Sequence, residues 1–150
     1  MYMDNEMKME FSALAENEAF ARGAVAAFIM SLDPTVEELT EIKTAVSEAV
    51  SNSIIHGYGN ITDRSKAAVT VECRTFAGGK VVIKVEDQGS GIEDVKKAME
   101  PLFTTGDGEE RSGMGFTVME SFTDKLNVIS EKGRGTTVIM TKYLDTASGI

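Results

Sequence analysis

Glu48, Asn52 and His56 recur at intervals of four, the first two inside residues 42–55 and His56 just after them, in a stretch otherwise rich in Ile, Val and Ala. That interval stacks side chains along one face of an α-helix. Leu39, Ile42, Val46, Ala49 and Val50 supply an apolar stripe on the same helix. A fold that contains this segment must bury the stripe and find a use for the polar row. An Asn oxygen suits Mg²⁺, which favours hard oxygen donors and keeps several waters, and a Glu one turn away can hold a hydroxyl or water for attack on a phosphate. A polar helix edge facing solvent has the same pattern, and spacing alone does not separate the two.

With 150 residues the chain can fill one core and is too short for two comfortable ones, so residues 1–150 are expected to form a single domain. No apolar run approaches bilayer length, and the opening MYMDNEMKME has neither a basic nor an apolar leader segment. The single cysteine, Cys73, cannot close an internal disulfide, which fits a reducing compartment; a cytoplasmic location without membrane attachment is expected. A net charge of −9 argues against direct nucleic-acid binding, which needs clustered Lys and Arg.

Along the chain, alternation predicts a strand over residues 8–14, and Asn17 is placed to cap a helix over 18–31 that Asp33-Pro34 ends. A second helix spans 35–57, with Glu37 and Glu38 in its first turn. Strands follow over 67–76 and 80–86, joined by Ala77-Gly78-Gly79; short helices are expected over 93–100 and 115–122; strands over 126–131 and 136–143 complete the chain. This order predicts an α+β two-layer sandwich, one mixed but mostly antiparallel sheet with helices on one face.

Strand phase adds a second feature. Val81, Ile83 and Val85 share a face, and Asp87 continues their phase toward the helix layer, where an ionised carboxylate requires donors. Gln88-Gly89-Ser90-Gly91 follows, and its glycines permit a tight turn and the approach of a flat ligand such as adenine. An Asp that merely caps the next turn fits the same residues. Residues 101–116, PLFTTGDGEERSGMGF, read as a lid, and Gly113-Met114-Gly115 opens a helix whose first amides suit a phosphate. Arg111 is the one basic residue between Pro101 and Asp124, a partner for a terminal phosphate or for Glu109 or Glu110 at the surface.

Taken together, the Glu48–Asn52 face, the DQGSG segment at a strand end, the glycine-rich lid and Gly135-Thr136-Thr137 resemble the four motifs of the ATP-binding family shared by gyrase B, heat-shock chaperones, histidine kinases and MutL. Within it the chain is similar to the anti-sigma-factor serine kinases, through residues 9–58, VEDQGSGIED and the lid; the likeness runs from Lys8 to Tyr143. The resemblance implies a histidine-kinase-like ATPase fold that binds ATP or ADP with Mg²⁺. It implies Glu48 as catalytic base, Asn52 as the Mg²⁺ ligand and Asp87 as the adenine contact. Further nucleotide contacts fall at Gly89, Gly91, Thr105, Gly106, Gly108, Gly113, Met114, Gly115 and Phe116, with a supporting threonine at Thr136 or Thr137 and a catalytic Arg111.

The implied function is to hold a sporulation sigma factor away from RNA polymerase and to phosphorylate a serine on the anti-anti-sigma protein that opposes this. A nucleotide-gated binding module without catalysis and a detached histidine-kinase domain are the alternatives. The only histidine, His56, lies at the end of the proposed nucleotide helix, which counts against a self-contained histidine kinase. Arg22, the one basic residue of helix 18–31, is either a solvated charge or a partner contact. A homodimer built near residues 3–30 is expected, from an edge strand and the apolar Phe11, Phe20, Phe28 and Met30.

Overall fold

The computed structural model describes residues 3–59, 61–63, 67–100 and 115–145. Five strands are present: β1 (Met3–Ser12), β2 (Ala68–Phe76), β3 (Lys80–Asp87), β4 (Lys125–Ser130) and β5 (Thr136–Tyr143). They form one sheet in the order β1-β2-β3-β5-β4, and all four pairings are antiparallel, where a mixed sheet was expected. Helices α1 (Asn17–Ile29), α2 (Val36–Asn52), α3 (Val95–Ala98) and α4 (Gly115–Phe122) complete the α+β architecture.

Alternation explains why one face of the sheet is the core. Val69, Val71 and Cys73 of β2 and Val81, Ile83, Val85 and Asp87 of β3 are buried, while their neighbours in sequence are more exposed. Residues opposite each other in an antiparallel pair share a face, so Val138 and Met140 of β5, paired with Val85 and Ile83, extend the same apolar surface. Cys73 is fully buried, and desolvation pushes its thiol up to about 12, which leaves it protonated and inert.

Helix α2 lies between α1 and α4 and seats Ile42, Ala45, Val46, Ala49 and Val50 on that surface. Its start is fixed by a capping box: Glu38 N–H donates to Thr35 Oγ1 (3.0 Å) and Thr35 N–H donates to Glu38 Oε1 (2.9 Å). Its end widens into a π-turn over Ser53–Gly57, closed by Tyr58 N–H donating to Ser53 O at 3.1 Å. Such a turn inserts one extra residue into the helical spiral, and these insertions favour functional sites.

Two local expectations differ from the structure. Asn17 does not cap α1; its Nδ2 donates back to Ser12 O at 2.8 Å and ties the helix start to the end of β1. Strand β1 begins at Met3 rather than residue 8, because pairing with β2 continues past the alternating residues through Glu6↔Arg74 and Asn5↔Thr75 to a bulge near Met3. Among the described residues no helix is long and apolar enough to cross a membrane.

Candidate functional site

Asp87 occupies the last inward position of β3, flanked by Val69 of β2 and Thr136 of β5, and is 3% exposed. Two donors meet its carboxylate: Ser53 Oγ donates to Oδ2 at 2.8 Å and Gly89 N–H donates to Oδ1 at 2.9 Å. Burial still dominates: desolvation raises the Asp87 pKa, the Gly89, Ser53 and Thr136 donor groups oppose the rise, and Glu86 adds to it. Oδ1 caps the turn by accepting from Gly89 N–H, while the group itself has the inward phase expected of it.

The surroundings of Asp87 are assembled by backbone contact. A Cβ on Gly57 would sit 3.0–3.1 Å from the three carboxyl atoms of Asp87, and one on Gly89 would lie 2.0 Å from Gly57 O. Gly135, at φ +85°, passes so close to Asp87 O that a Cβ would come within 2.1 Å, in a backbone region that L side chains rarely adopt. Tyr58 ties three segments together: its hydroxyl donates to Ala68 O (2.8 Å) and accepts from Gln88 N–H (2.7 Å). Ser90 N–H donates to Gly57 O (2.8 Å), and Gly133 N–H donates to Ser90 O (2.6 Å), joining the end of α2 to the β4–β5 turn through the 88–91 loop.

The β5 register separates the two threonines. Thr136 pairs with Asp87 and shares its inward face, whereas Thr137 pairs with Glu86 on the outer face and donates to Glu86 Oε2 at 3.3 Å. Ser130 Oγ donates to Gly135 O (3.0 Å), so in its 2.7 Å contact with Thr136 Oγ1 the threonine is the donor. Ile92 N–H also donates to Ser130 Oγ, at 2.7 Å.

Glu48, Asn52 and His56 are half-buried along α2 and its π-turn. Asn52 immediately precedes Ser53, so the carboxamide and the Asp87 pocket are adjacent. Gly115, the first residue of α4, lies against Asn52; a Cβ there would be 2.9 Å from Nδ2. The amides that open α4 are thereby brought beside the Asn52 carboxamide, where an anion would be favoured. Phe116 packs half-buried against the core. Gly91, at φ +73°, fits against Glu131 O, so it shapes the 88–91 loop. Thr105, Gly106, Gly108, Arg111, Gly113 and Met114 lie outside the described residues.

Arg22 is away from this site. It pairs with Glu18 one turn back and borders a groove of about 280 Å³ with Thr40, Lys43, Thr44 and Ser47. Ser53, Gly57 and Tyr58 were not singled out as site residues in the sequence. Ser53 is off the four-residue row, and Gly57 reads as a helix end. The one available signal was a serine between Asn52 and Ile54 in a run that had to be buried.

The residues fit an adenine nucleotide. A carboxylate has about four lone-pair sites, and the Ser53 and Gly89 donors leave Asp87 with capacity for a further N–H. Asn52 supplies a hard oxygen beside the first amides of α4. Among the described residues no cluster of three or more His, Cys, Asp or Glu is placed to hold a metal, so Mg²⁺ here would rest on Asn52, phosphates and water.

Comparison with known proteins agrees. The model of the histidine kinase-like ATPase domain matches residues 11–142. The chain is 59% identical over 140 residues to an anti-sigma F factor of Clostridium novyi (strain NT), covering 93% of this chain and 95% of that protein. It is 56% identical over 144 residues to an anti-sigma F factor of Clostridium perfringens (strain SM101 / Type A), covering 96% of this chain and 100% of that protein. The crystal structure of the RsbU and RsbW domains of a Mycobacterium tuberculosis protein shares the fold with a TM-score of 0.68 at 19% identity, covering 94% of this chain and 33% of that one.

The close approach at Gly57 generates a prediction. Gly57→Ala forces a methyl group against the Asp87 carboxyl and should destabilise the protein by about 1–3 kcal/mol, the usual range for overpacking. Urea denaturation checks this, and an unchanged midpoint would show that the contact can relax freely.

Proposed function

The chain belongs to the histidine kinase-like ATPase family, and we propose that it is an anti-sigma factor that binds a sporulation sigma factor and uses Mg·ATP to phosphorylate a serine on its anti-anti-sigma antagonist. The observation that carries the catalytic part is the buried Asp87 held beneath the end of the helix that presents Glu48 and Asn52. The regulatory part is supported by relatives named anti-sigma F factor, matched over nearly their whole length.

When bound, Mg·ATP supplies the transferable phosphoryl group and the metal charge that shields it. The chain's own residues then divide the remaining work, most of it positioning and charge stabilisation. Asp87 would accept from the base and so hold the nucleotide near the Ser53–Gly57 turn. Asn52 Oδ1 would hold the metal, and the first amides of α4 would favour the phosphates. Glu48, one turn before Asn52, would orient the incoming serine hydroxyl and accept its proton at a carboxylate oxygen. Arg111 would supply positive charge to the terminal phosphate.

Two surface features support the partner reading. Strand β1 is an edge of the sheet, and Phe11 packs edge-on against Phe20 of α1 with ring centroids 6.2 Å apart. Phe20 and Met30 remain 57% and 55% exposed, apolar area suited to a second copy of the chain. Arg22 with Lys43 forms a basic groove on an acidic protein, suited to an acidic segment of a regulatory partner.

Glu48→Gln should retain Mg·ATP affinity within about twofold and lower serine phosphorylation at least ~100-fold, the scale of general-base catalysis. Transfer of labelled phosphate from ATP to the antagonist protein measures this, and near-wild-type transfer would remove Glu48 as the base. Light scattering at micromolar concentration should give about twice the chain mass. A monomer mass there would remove the dimer.

A further inference from the structure

Asp87 is the only carboxylate among the buried polar and charged residues of the described chain, and one side-chain hydroxyl is hydrogen-bonded to it. That hydroxyl belongs to Ser53, which is itself buried and sits in the π-turn one residue past Asn52. Resting on the reading of Asp87 as the adenine acceptor, we propose that Ser53 is a specificity-determining positioning residue: it sets the orientation of the Asp87 carboxylate so that one acceptor position faces the 6-amino group of adenine.

The geometry supports this in three ways. First, a carboxylate on a two-bond side chain can rotate about its last torsion, which is broad and roughly two-fold. Gly89 N–H at 2.9 Å holds Oδ1 alone, and Ser53 Oγ–H at 2.8 Å is the side-chain donor that holds Oδ2. With both oxygens held, the plane of the group is defined. Second, an acceptor-only carboxylate with Ser53 and Gly89 already donating to it can take a further N–H but no lone pair, so a 6-oxo base such as guanine would set acceptor against acceptor. Third, Ser53 is placed by backbone that has no slack. Its N–H is shared between Ala49 O and Val50 O, its carbonyl accepts from Tyr58 N–H, and Gly57 closes against the same carboxyl. Ser53 thus keeps the α2 register one residue past Asn52, and the extra residue of the π-turn displaces the chain after it, toward Gly57 and Tyr58.

The test compares binding of Mg·ATP with binding of the Mg²⁺ complex of purine riboside triphosphate, which lacks the 6-amino group, by calorimetry on the full chain. Ser53→Ala should lower ATP affinity about tenfold and leave the affinity for purine riboside triphosphate nearly unchanged, the scale expected when a charge-assisted hydrogen bond is lost. Equal loss for both ligands, or no loss for either, would overturn the proposal, because a merely structural serine does not distinguish them. Should Ser53→Ala fail to fold, Ser53→Cys retains the shape with a weak thiol donor and should lose preference for ATP in the same sense; full retention of preference would overturn the proposal. Asp87→Ala, whose methyl group accepts no hydrogen bond, separates the two levels of inference. If this variant keeps the wild-type preference for ATP, Asp87 is not the adenine acceptor; if it loses the preference while Ser53→Ala keeps it, only the role of Ser53 fails.

Discussion

Everything at the site depends on placing one carboxylate where water does not reach it. Burying Asp87 costs free energy, since an ion in a low-dielectric interior loses its hydration, and the raised pKa expresses that cost. The protein answers with hydrogen bonds drawn from two different elements, the π-turn after α2 and the 88–91 loop, beside the Thr136 position of β5. Those contacts hold the elements together, and glycines at 57, 89 and 135 let their backbones approach without side chains intervening. The local geometry is thus a consequence of satisfying Asp87.

The rest of the fold serves that placement. The antiparallel order β1-β2-β3-β5-β4 puts β3 at the centre, so Asp87 at its end is flanked on both sides and covered by α2. Seating α2 through Ile42, Val46 and Val50 fixes the height of Asn52 and Glu48 above the sheet. The outer sheet face has a different role. Arg74 pairs with Glu6 at 2.5 Å and Lys84 with Glu72 at 3.5 Å across strands, exposed pairs that contribute little stability but keep that face polar. Part of the exposed apolar area, Met3, Phe20 and Met30, lies around α1 and the β1 edge, while Val36, Ile129 and Tyr143 are exposed on other elements.

Much of this was legible in the residues. Alternation in β2 and β3 gave the inward phase of Asp87 directly, and the four-residue row gave the Glu48–Asn52 face, because both are periodic. What was hidden was aperiodic. A π-turn adds one residue without any sequence mark, and Ser53, off the four-residue row, meets Asp87 only through a tertiary contact across 34 positions. The choice between Thr136 and Thr137 depends on register, which is fixed only when β5 pairs with β3. Asn17 has the composition of a cap but finds a closer acceptor in Ser12 O, a tertiary contact that overrides local preference. The start of β1 was missed because an edge strand with mixed charges alternates weakly and is held by its partner β2.

The most direct measurement is the titration of the Asp87 carboxyl carbon by NMR in the free protein and with ATP bound. In the free protein burial should hold its pKa above the ordinary carboxylate value. An added N–H donor favours the ionised form, so ATP should move the pKa down. At pH values between the two, nucleotide binding should therefore release a proton, and affinity should rise with pH across that window. An Asp87 signal that titrates in the ordinary range, or one that ATP leaves unmoved, would contradict the account of a buried carboxylate kept open for the base.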